Sequence, residues 1–208
     1  MPIDSIQNSA FYGWLTQNPE WIAVSILTIA FVESFAIIGV VVPGVFLLYV
    51  AAFMAGSGLL DIQSSLLMAF CGAVLGDGCS YFLGRYFKRG VRTWPLIRDN
   101  LHWMDTGELF IERHGMKSIV LARFLGPIRP IMPMVAGSLS MPAQRFFAVN
   151  ALSAIAWAPV YVIPGFALGA AMDMPFSSTE MTIVVLLGLA LLGGAFFLVR
   201  RWFNADQA

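Results

Sequence analysis

Apolar runs and the points where they break divide the chain. Residues 1–18 are mixed, with Phe11, Tyr12, Trp14 and Leu15 among polar neighbours. That mixture predicts an interfacial helix with its aromatic rings at headgroup depth. Residues 21–35 are an apolar run of helical character, interrupted mainly by Glu33. The stretch from Gly39 to Gly44, with Pro43 before Gly44, ends that helix. A second apolar arm, residues 45–55, is closed by Gly56, Ser57 and Gly58. At about 11 residues it is too short to cross a bilayer alone, so the two arms predict a broken or re-entrant hairpin. Residues 61–84 read as a clearer span, started by Ser64 or Ser65 and ended by Arg85. Gly72, Gly76, Gly78 and Gly84 give this span small residues for close helix packing.

From residue 85 to 117 the pattern turns polar. Arg85, Lys88, Arg89, Arg92, Arg98, Arg113 and Lys117 lie beside Asp99, Asp105, Glu108 and Glu112, which predicts a polar loop and a surface helix of about 20 residues. His114-Gly115 suits the end of that helix, with the glycine in the left-handed position. Residues 121–137 are apolar again, except for Arg123 and Arg129, and are broken by Gly126, Pro127, Pro130 and Pro133. Arginine is costly in hydrocarbon, and backbone freed by proline must find partners inside protein or beside a water-filled cavity. Both anomalies fall together, so this stretch reads as the wall of a polar cavity within the membrane and as a second broken hairpin, running to Pro142. After Arg145, residues 146–171 form a span kinked by Pro159 and Pro164. Residues 172–178 read as a turn, 180–199 as a last span closed by Arg200, Arg201 and Trp202, and 203–208 as a tail.

Composition agrees with residues 19–202 being one all-α integral membrane domain. Hydrophobic residues make up 59% of the 208 and charged residues 12%, about half the charge of a soluble domain, and the mean hydropathy is +0.78. The formal net charge is zero, which offers no electrostatic footprint for nucleic acid. The positions of the charges say more. Positive residues mark cytoplasmic segments, so the 85–117 loop and the Arg200-Arg201 end face the cytoplasm, placing the C-terminus there. The 57–61 and 173–180 connections, acidic and without Lys or Arg, face outside. The first broken hairpin then opens from outside and the second from the cytoplasm, each followed by a full span. That is the pattern of an inverted repeat, in which transporters place their substrate where the broken segments meet. The side of the N-terminus stays open, and no basic leader precedes an apolar core there.

The chemistry concentrates in four residues. Glu33 is the only acid between Glu20 and Asp61. A carboxyl without a partner in such a run stays neutral, which makes Glu33 a candidate proton carrier. Its other reading is structural, bonding backbone freed at the Gly39–Gly44 break. Arg123 and Arg129 keep their charge at any accessible pH and present forks suited to phosphate or carboxylate, with a counter-ion role toward Glu33 compatible. Their other reading is that they snorkel to the cytoplasmic face or pin the hairpin through carbonyls. Asp77, in the glycine-rich span, is either a second titratable group or a packing lock accepting from Tyr81. Asn150 and Trp157, seven apart, read as helix-packing groups, and Cys71 and Cys79 as packing residues. With two histidines, both in the polar loop, and two cysteines, no metal site forms. No phosphate-cradling loop or hydrolase motif is present, so the sequence predicts a non-enzyme without cofactors. The glycine-lined face of residues 72–84 suits packing within one chain or in a homo-oligomer.

These pieces resemble the DedA family, also called the SNARE-associated or VTT-domain family. The resemblance rests on Phe31-Val32-Glu33-Ser34, Val42-Pro43-Gly44, Gly76-Asp77 and the run from Tyr81 to Phe87. It continues with His114-Gly115, Arg123-Phe124, Gly126-Pro127-Ile128-Arg129-Pro130, Ala136-Gly137, Phe146, Asn150 and Trp157. The match covers about residues 20 to 170 in the family's order, and its specificity lies in joint occurrence. It implies two re-entrant hairpins of opposite sense and movement of lipid across the bilayer. In bacteria that means undecaprenyl phosphate or phospholipids such as phosphatidylethanolamine, with a link to the proton-motive force. It also implies an essential acid in the first hairpin and two arginines in the second, positions held here by Glu33, Arg123 and Arg129. One position departs: Val45 stands where well-studied members carry Asp after the Pro-Gly, so either Asp77 takes the second acid's role, or proton coupling is weaker or absent, or the lipid differs from theirs.

The reading that joins these observations is a lipid-phosphate flippase of the bacterial inner membrane. Arg123 and Arg129 would hold the headgroup, and Glu33 and Asp77 would couple protons. Pro43, Gly44, Gly126, Pro127, Pro130 and Pro133 would make the breaks. The expected partners are a phosphate-headed lipid and the bilayer itself. Two rivals remain: a proton-coupled transporter of a soluble cation or osmolyte, and a membrane scaffold that transports nothing.

Overall fold

A computed structural model describes residues 14, 17–39, 44–98, 101–124 and 129–171, and among them every regular element is a helix. Helix α1, Glu20–Ser34, ends where Phe35 turns extended (φ −81, ψ 119). The short α2, Ala36–Gly39, follows. Helix α3, Gly44–Met54, runs into a π-helical turn, Ala55–Leu59, in which Gly58 takes φ +99, a left-handed value that only glycine holds without strain. Helix α4 spans Ile62–Phe87. Its cap is Asp61 rather than Ser64 or Ser65: the Ser64 N–H donates to Asp61 Oδ2 at 2.8 Å, the arrangement that satisfies a first-turn amide. The bonds from Ser64 hold the Asp61 carboxyl below its ordinary pKa.

The polar region is more divided than its pattern predicts. A 3-10 helix, Lys88–Thr93, and α5, Pro95–Arg98, come first, so the surface helix α6, Leu101–His114, is 14 residues long. Arg92 folds back onto α6 and pairs with Asp105 and Glu108, each at 2.9 Å. Gly115 follows α6 at φ +57, and its N–H returns to the Ile111 carbonyl at 2.7 Å. Two short helices come next, α7 (Lys117–Ala122) and α8 (Met132–Ser138). The last described helix, α9, is Ala143–Ala171 and continues through Pro159 and Pro164.

Helix α4 is the axis of the bundle. Helices α1, α8 and α9 pack on it, and α3 packs on α9. Backbone meets backbone along the α4–α8 seam, where Gly84 faces Met134 and Gly137 faces Tyr81 so closely that a side chain on either glycine would overlap main chain. Tyr81 also stacks on Phe146, centroids 4.4 Å apart, and donates its hydroxyl to the Met141 carbonyl. Arg85 donates to the same two oxygens, at 2.9 and 3.0 Å. Tyr81 is therefore tied to the α8–α9 connection and does not donate to Asp77, which removes the packing-lock reading of Asp77. Cys71 is half-buried, whereas Cys79 is exposed, so the expectation that both are packing residues fails for Cys79.

Among the described residues, α4 and α9 are long and apolar enough to cross a membrane. Both turn large apolar side chains outward: Leu67, Leu75 and Phe82 on α4, Leu152, Ile155, Val160 and Ile163 on α9. Residues 1–13, Pro43, Gly126, Pro127 and the turn, span and tail expected over 172–208 lie outside the described residues.

The glycine seam predicts an asymmetric response. Gly137→Val is expected to lower the unfolding midpoint by at least the equivalent of about 1–3 kcal/mol, the usual cost of overpacking. Gly90→Ala meets nothing within 4 Å and is expected to stay within about 0.5 kcal/mol of the parent chain. Thermal unfolding of both variants in one detergent checks the contrast.

Candidate functional site

The polar residues of the interior fall at a border. Two hydrophobic clusters fill the bundle, one around Tyr81, Ile97, Met132, Val135 and Phe146, the other around Ile26, Leu48, Ala73, Trp157 and Val162. Along α1, Glu33 stands between Ala30 of one cluster and Ala36 of the other. Along α4, Asp77 stands between Ala73 and Tyr81, and along α9, Asn150 stands between Phe146 and Ala154. Three helices thus each bring a buried carboxylate or amide to this border: Glu33, Asp77 and Asn150.

The arginines meet them there. Arg123 follows α7 directly. Its Nη2 donates to Asp77 Oδ2 and to Asn150 Oδ1, which fixes the amide with its oxygen toward the guanidinium, the only polarity a donor-only group accepts. Arg129 precedes α8. Its Nη1 donates to Glu33 Oε1, and its Nη2 to Ser34 Oγ at 3.2 Å. The start of α2 is pinned to α4, since the Ala36 N–H donates to Ser80 Oγ at 2.8 Å. Arg123 and Arg129 are 5% and 8% exposed, so neither snorkels. Trp157 lies under both, with its ring centroid 4.4 Å from the Arg129 guanidinium carbon and 5.9 Å from that of Arg123. Guanidinium over an indole face is favourable, more so when desolvated.

Four of the residues anticipated from sequence therefore assemble: Glu33, Asp77, Arg123 and Arg129. Glu33 has a cationic partner, which removes the premise that it stands alone. Among the break residues, Pro130 is buried and lies against Gly39, where an added Cβ would come within 3.2 Å of the proline's Cβ. The two breaks touch at that point. Gly44 begins α3 against the Glu33 side chain. Pro133 is the second residue of α8, a position where its missing N–H leaves no hydrogen bond unmade. Asn150 and Trp157 are buried, as packing groups would be, and they also contact the arginines. Their spacing of two helical turns was the available signal, but it is equally the spacing of any buried stripe.

The charges of the cluster cancel, two guanidinium against two carboxylate groups. Its hydrogen bonds do not. Among the described residues, Arg123 Nη1, Arg129 Nε, Asn150 Nδ2 and Trp157 Nε1 are buried side-chain donors without a partner, against one such side-chain acceptor, Glu33 Oε2. Buried polar groups are almost always satisfied, so four unpartnered donors within one cluster, three of them on residues that line the small cavity, suit an acceptor-rich group. A cavity of about 10 Å³ opens between Asp77, Arg123, Arg129 and Asn150, room for about one water. A larger cavity, about 350 Å³, lies between Lys88, Arg92, Glu108 and Ser138. Helix α8 connects the two, with Met132 and Pro133 at the small cavity and Ser138 at the large one, roughly 9 Å apart along its axis. Among the described residues no group of His, Cys, Asp and Glu could hold a metal ion.

Comparison with known proteins places this arrangement. A model described as the VTT domain matches residues 42–167. The inner membrane protein YabI of Escherichia coli K12 is 35% identical over 162 residues, 78% of this chain and 64% of YabI, so the chain spans somewhat under two thirds of that relative. The membrane protein BU139 of Buchnera aphidicola from Acyrthosiphon pisum is 31% identical over 194 residues, covering 92% and 76% of the two chains. The protein DedA of Escherichia coli K12 is 28% identical over 193 residues, covering 90% and 87%. No solved structure matches.

The Arg129–Glu33 pair carries a stability prediction. Arg129→Leu strands the Glu33 carboxylate in the core and is expected to cost about 3–5 kcal/mol. Adding Glu33→Leu is expected to restore most of that loss, because an apolar pair needs no partner. A double-mutant cycle on detergent unfolding reads the coupling, and strictly additive costs would contradict the pairing.

Proposed function

The chain belongs to the VTT-domain (DedA) family, and from that membership we propose that it is a translocase carrying a lipid phosphate across the bacterial inner membrane. The observation that carries the reading is the excess of donors at the site. A phosphate offers several acceptor oxygens and one or two negative charges, the complement of four unpartnered N–H groups, two of them on the guanidinium forks themselves. The inner-membrane names of relatives such as YabI support the location. Undecaprenyl phosphate and phospholipids both bear the required group.

Electroneutrality supports proton coupling. A phosphate added to a cluster whose charges already cancel would leave a net negative charge in a low-dielectric interior, which is costly. Protonation of Glu33 or Asp77 removes that charge and frees an arginine for the ligand. Two interrupted segments, one carrying Glu33 and the other Arg123 and Arg129, touch at Gly39 and Pro130, and each leads into a long helix, α4 or α9. That order supports two re-entrant hairpins of opposite sense with the headgroup handled where they meet. The headgroup alone would need a polar path, with the 350 Å³ cavity as its approach and the apolar tails left in lipid. The basic 85–117 region would face the cytoplasm.

The test is flipping of a fluorescent lipid phosphate in liposomes holding the full chain. Arg123→Lys keeps the charge but loses the fork, and is expected to slow flipping by about tenfold to a hundredfold, the worth of one hydrogen bond to a charged group. Equal rates for parent, Arg123→Lys and empty liposomes would sink the assignment. Uptake of a soluble cation without any lipid movement would favour the rival transporter.

A further inference from the structure

Two buried acids serve the two arginines, and their surroundings differ. Glu33 is confined. An added Cβ at Gly44 would lie 2.5 Å from Glu33 Cβ, 2.6 Å from its Cγ and 3.2 Å from its carboxyl carbon, so the start of α3 lies flush along the whole side chain. Glu33 also takes no part in lining the small cavity. Asp77 does line it, together with Arg123, Arg129 and Asn150. Its backbone belongs to α4, a helix unbroken over 26 residues. Its partner Arg123 sits just past the end of the six-residue α7. The fixed element thus carries the acid, and the interrupted element carries the base.

We infer that Asp77 is the exchanging acid of this site and that Glu33 is a fixed strut: a proton taken by Asp77 releases Arg123 to a phosphate oxygen, while Glu33 keeps Arg129 in place. This rests on the lipid-phosphate reading above. The charged group that touches Asp77 is Arg123, with Arg129 and Glu33 beyond it and the neutral Asn150 presented by α9. At rest Arg123 and Arg129 balance Glu33 and Asp77. A proton from water adds to a carboxylate oxygen of Asp77, making a neutral acid and leaving Arg123 Nη2 one acceptor short. An oxygen of a singly charged phosphate takes that place, and the total returns to zero. When the phosphate leaves, Asp77 gives its proton back to water and pairs with Arg123 again. One proton accompanies each phosphate charge, and no covalent bond of the ligand changes.

Two measurements on the full chain test this. The first is calorimetric binding of a short-chain phosphodiester lipid and a short-chain phosphomonoester lipid to detergent-solubilised protein, in buffers of different ionisation enthalpy. The parent chain is expected to take up one proton per diester bound. Asp77→Asn is expected to bind with no proton uptake, since the amide mimics the protonated acid, and to lower the resting unfolding midpoint, because Arg123 loses its carboxylate. Glu33→Gln and Gly44→Ala are expected to lower the unfolding midpoint and still take up the proton. The second is the pH profile of flipping in liposomes, which Asp77→Asn is expected to flatten and Glu33→Gln only to scale down. Proton uptake that survives Asp77→Asn, is lost in Glu33→Gln while binding remains, or is missing from the parent chain overturns the assignment. Proton-linked binding without flipping would overturn lipid translocation and leave the role of Asp77 standing.

Discussion

Two guanidinium groups lie inside an apolar bundle, and the rest of the structure follows from the need to keep them there. A buried charge is tolerated only when paired and hydrogen-bonded, so each arginine requires a carboxylate at contact distance. Those carboxylates come from helices remote in sequence: Glu33 lies 96 residues before Arg129 and Asp77 lies 46 before Arg123. Both arginines sit outside regular helix, Arg123 just past α7 and Arg129 just before α8. The chain breaks beside both, and Arg123 and Arg129 flank residues 125–128 while α7 and α8 stay short. Short helices then need tight seating, which the glycine contacts between α4 and α8 supply.

Charge balance and hydrogen-bond balance pull apart at this site, and the difference is what gives it chemical meaning. A purely structural ion-pair cluster would satisfy both. Here the formal charges sum to zero, while among the described residues the unpartnered buried side-chain atoms are four donors and one acceptor. Each such atom costs about 1–3 kcal/mol of desolvation if nothing meets it. That cost is kept at one place, between two clusters of well-packed apolar residues. The resting cavity there has room for about one water, so under the proposed function an anion would displace an existing acceptor rather than fill empty space.

Much of this was legible in the sequence because charge in an apolar run is loud. Glu33, Arg123 and Arg129 stand out against their neighbours, and proline and glycine beside them mark the breaks. Helices α4 and α9 were equally plain from length and apolarity. What stayed hidden depends on pairing across the fold. Asp77 has Tyr81 one turn away and Arg85 two turns away, and local spacing cannot show that its partner is Arg123. The hydroxyl of Tyr81 goes instead to Met141, 60 residues on. Asn150 and Trp157 carry no charge and sit at a helical repeat, so nothing local separates a ligand from a packing residue. The cap of α4 was misplaced by a few residues because Asp, Ser and Ser all suit an N-cap and follow one another closely.

Helix α9 then takes a role that its apolar sequence conceals. Asn150 and Trp157 are seven residues apart, about 10 Å along the axis, and between them they hold both arginines: the amide binds Arg123, and the indole face underlies Arg129 more closely than Arg123. A neutral ligand and an aromatic face hold a guanidinium without cancelling its charge. Carboxylates on α1 and α4 do cancel it. The arginines are thus positioned by one set of groups and neutralised by another, which allows a carboxylate to be discharged without the guanidinium losing its place. Val45 fits the same logic. It follows Gly44 in the first turn of α3, the turn that lies flush against Glu33, and an apolar residue there leaves Asp77 and Glu33 as the two acids of a cluster that already balances.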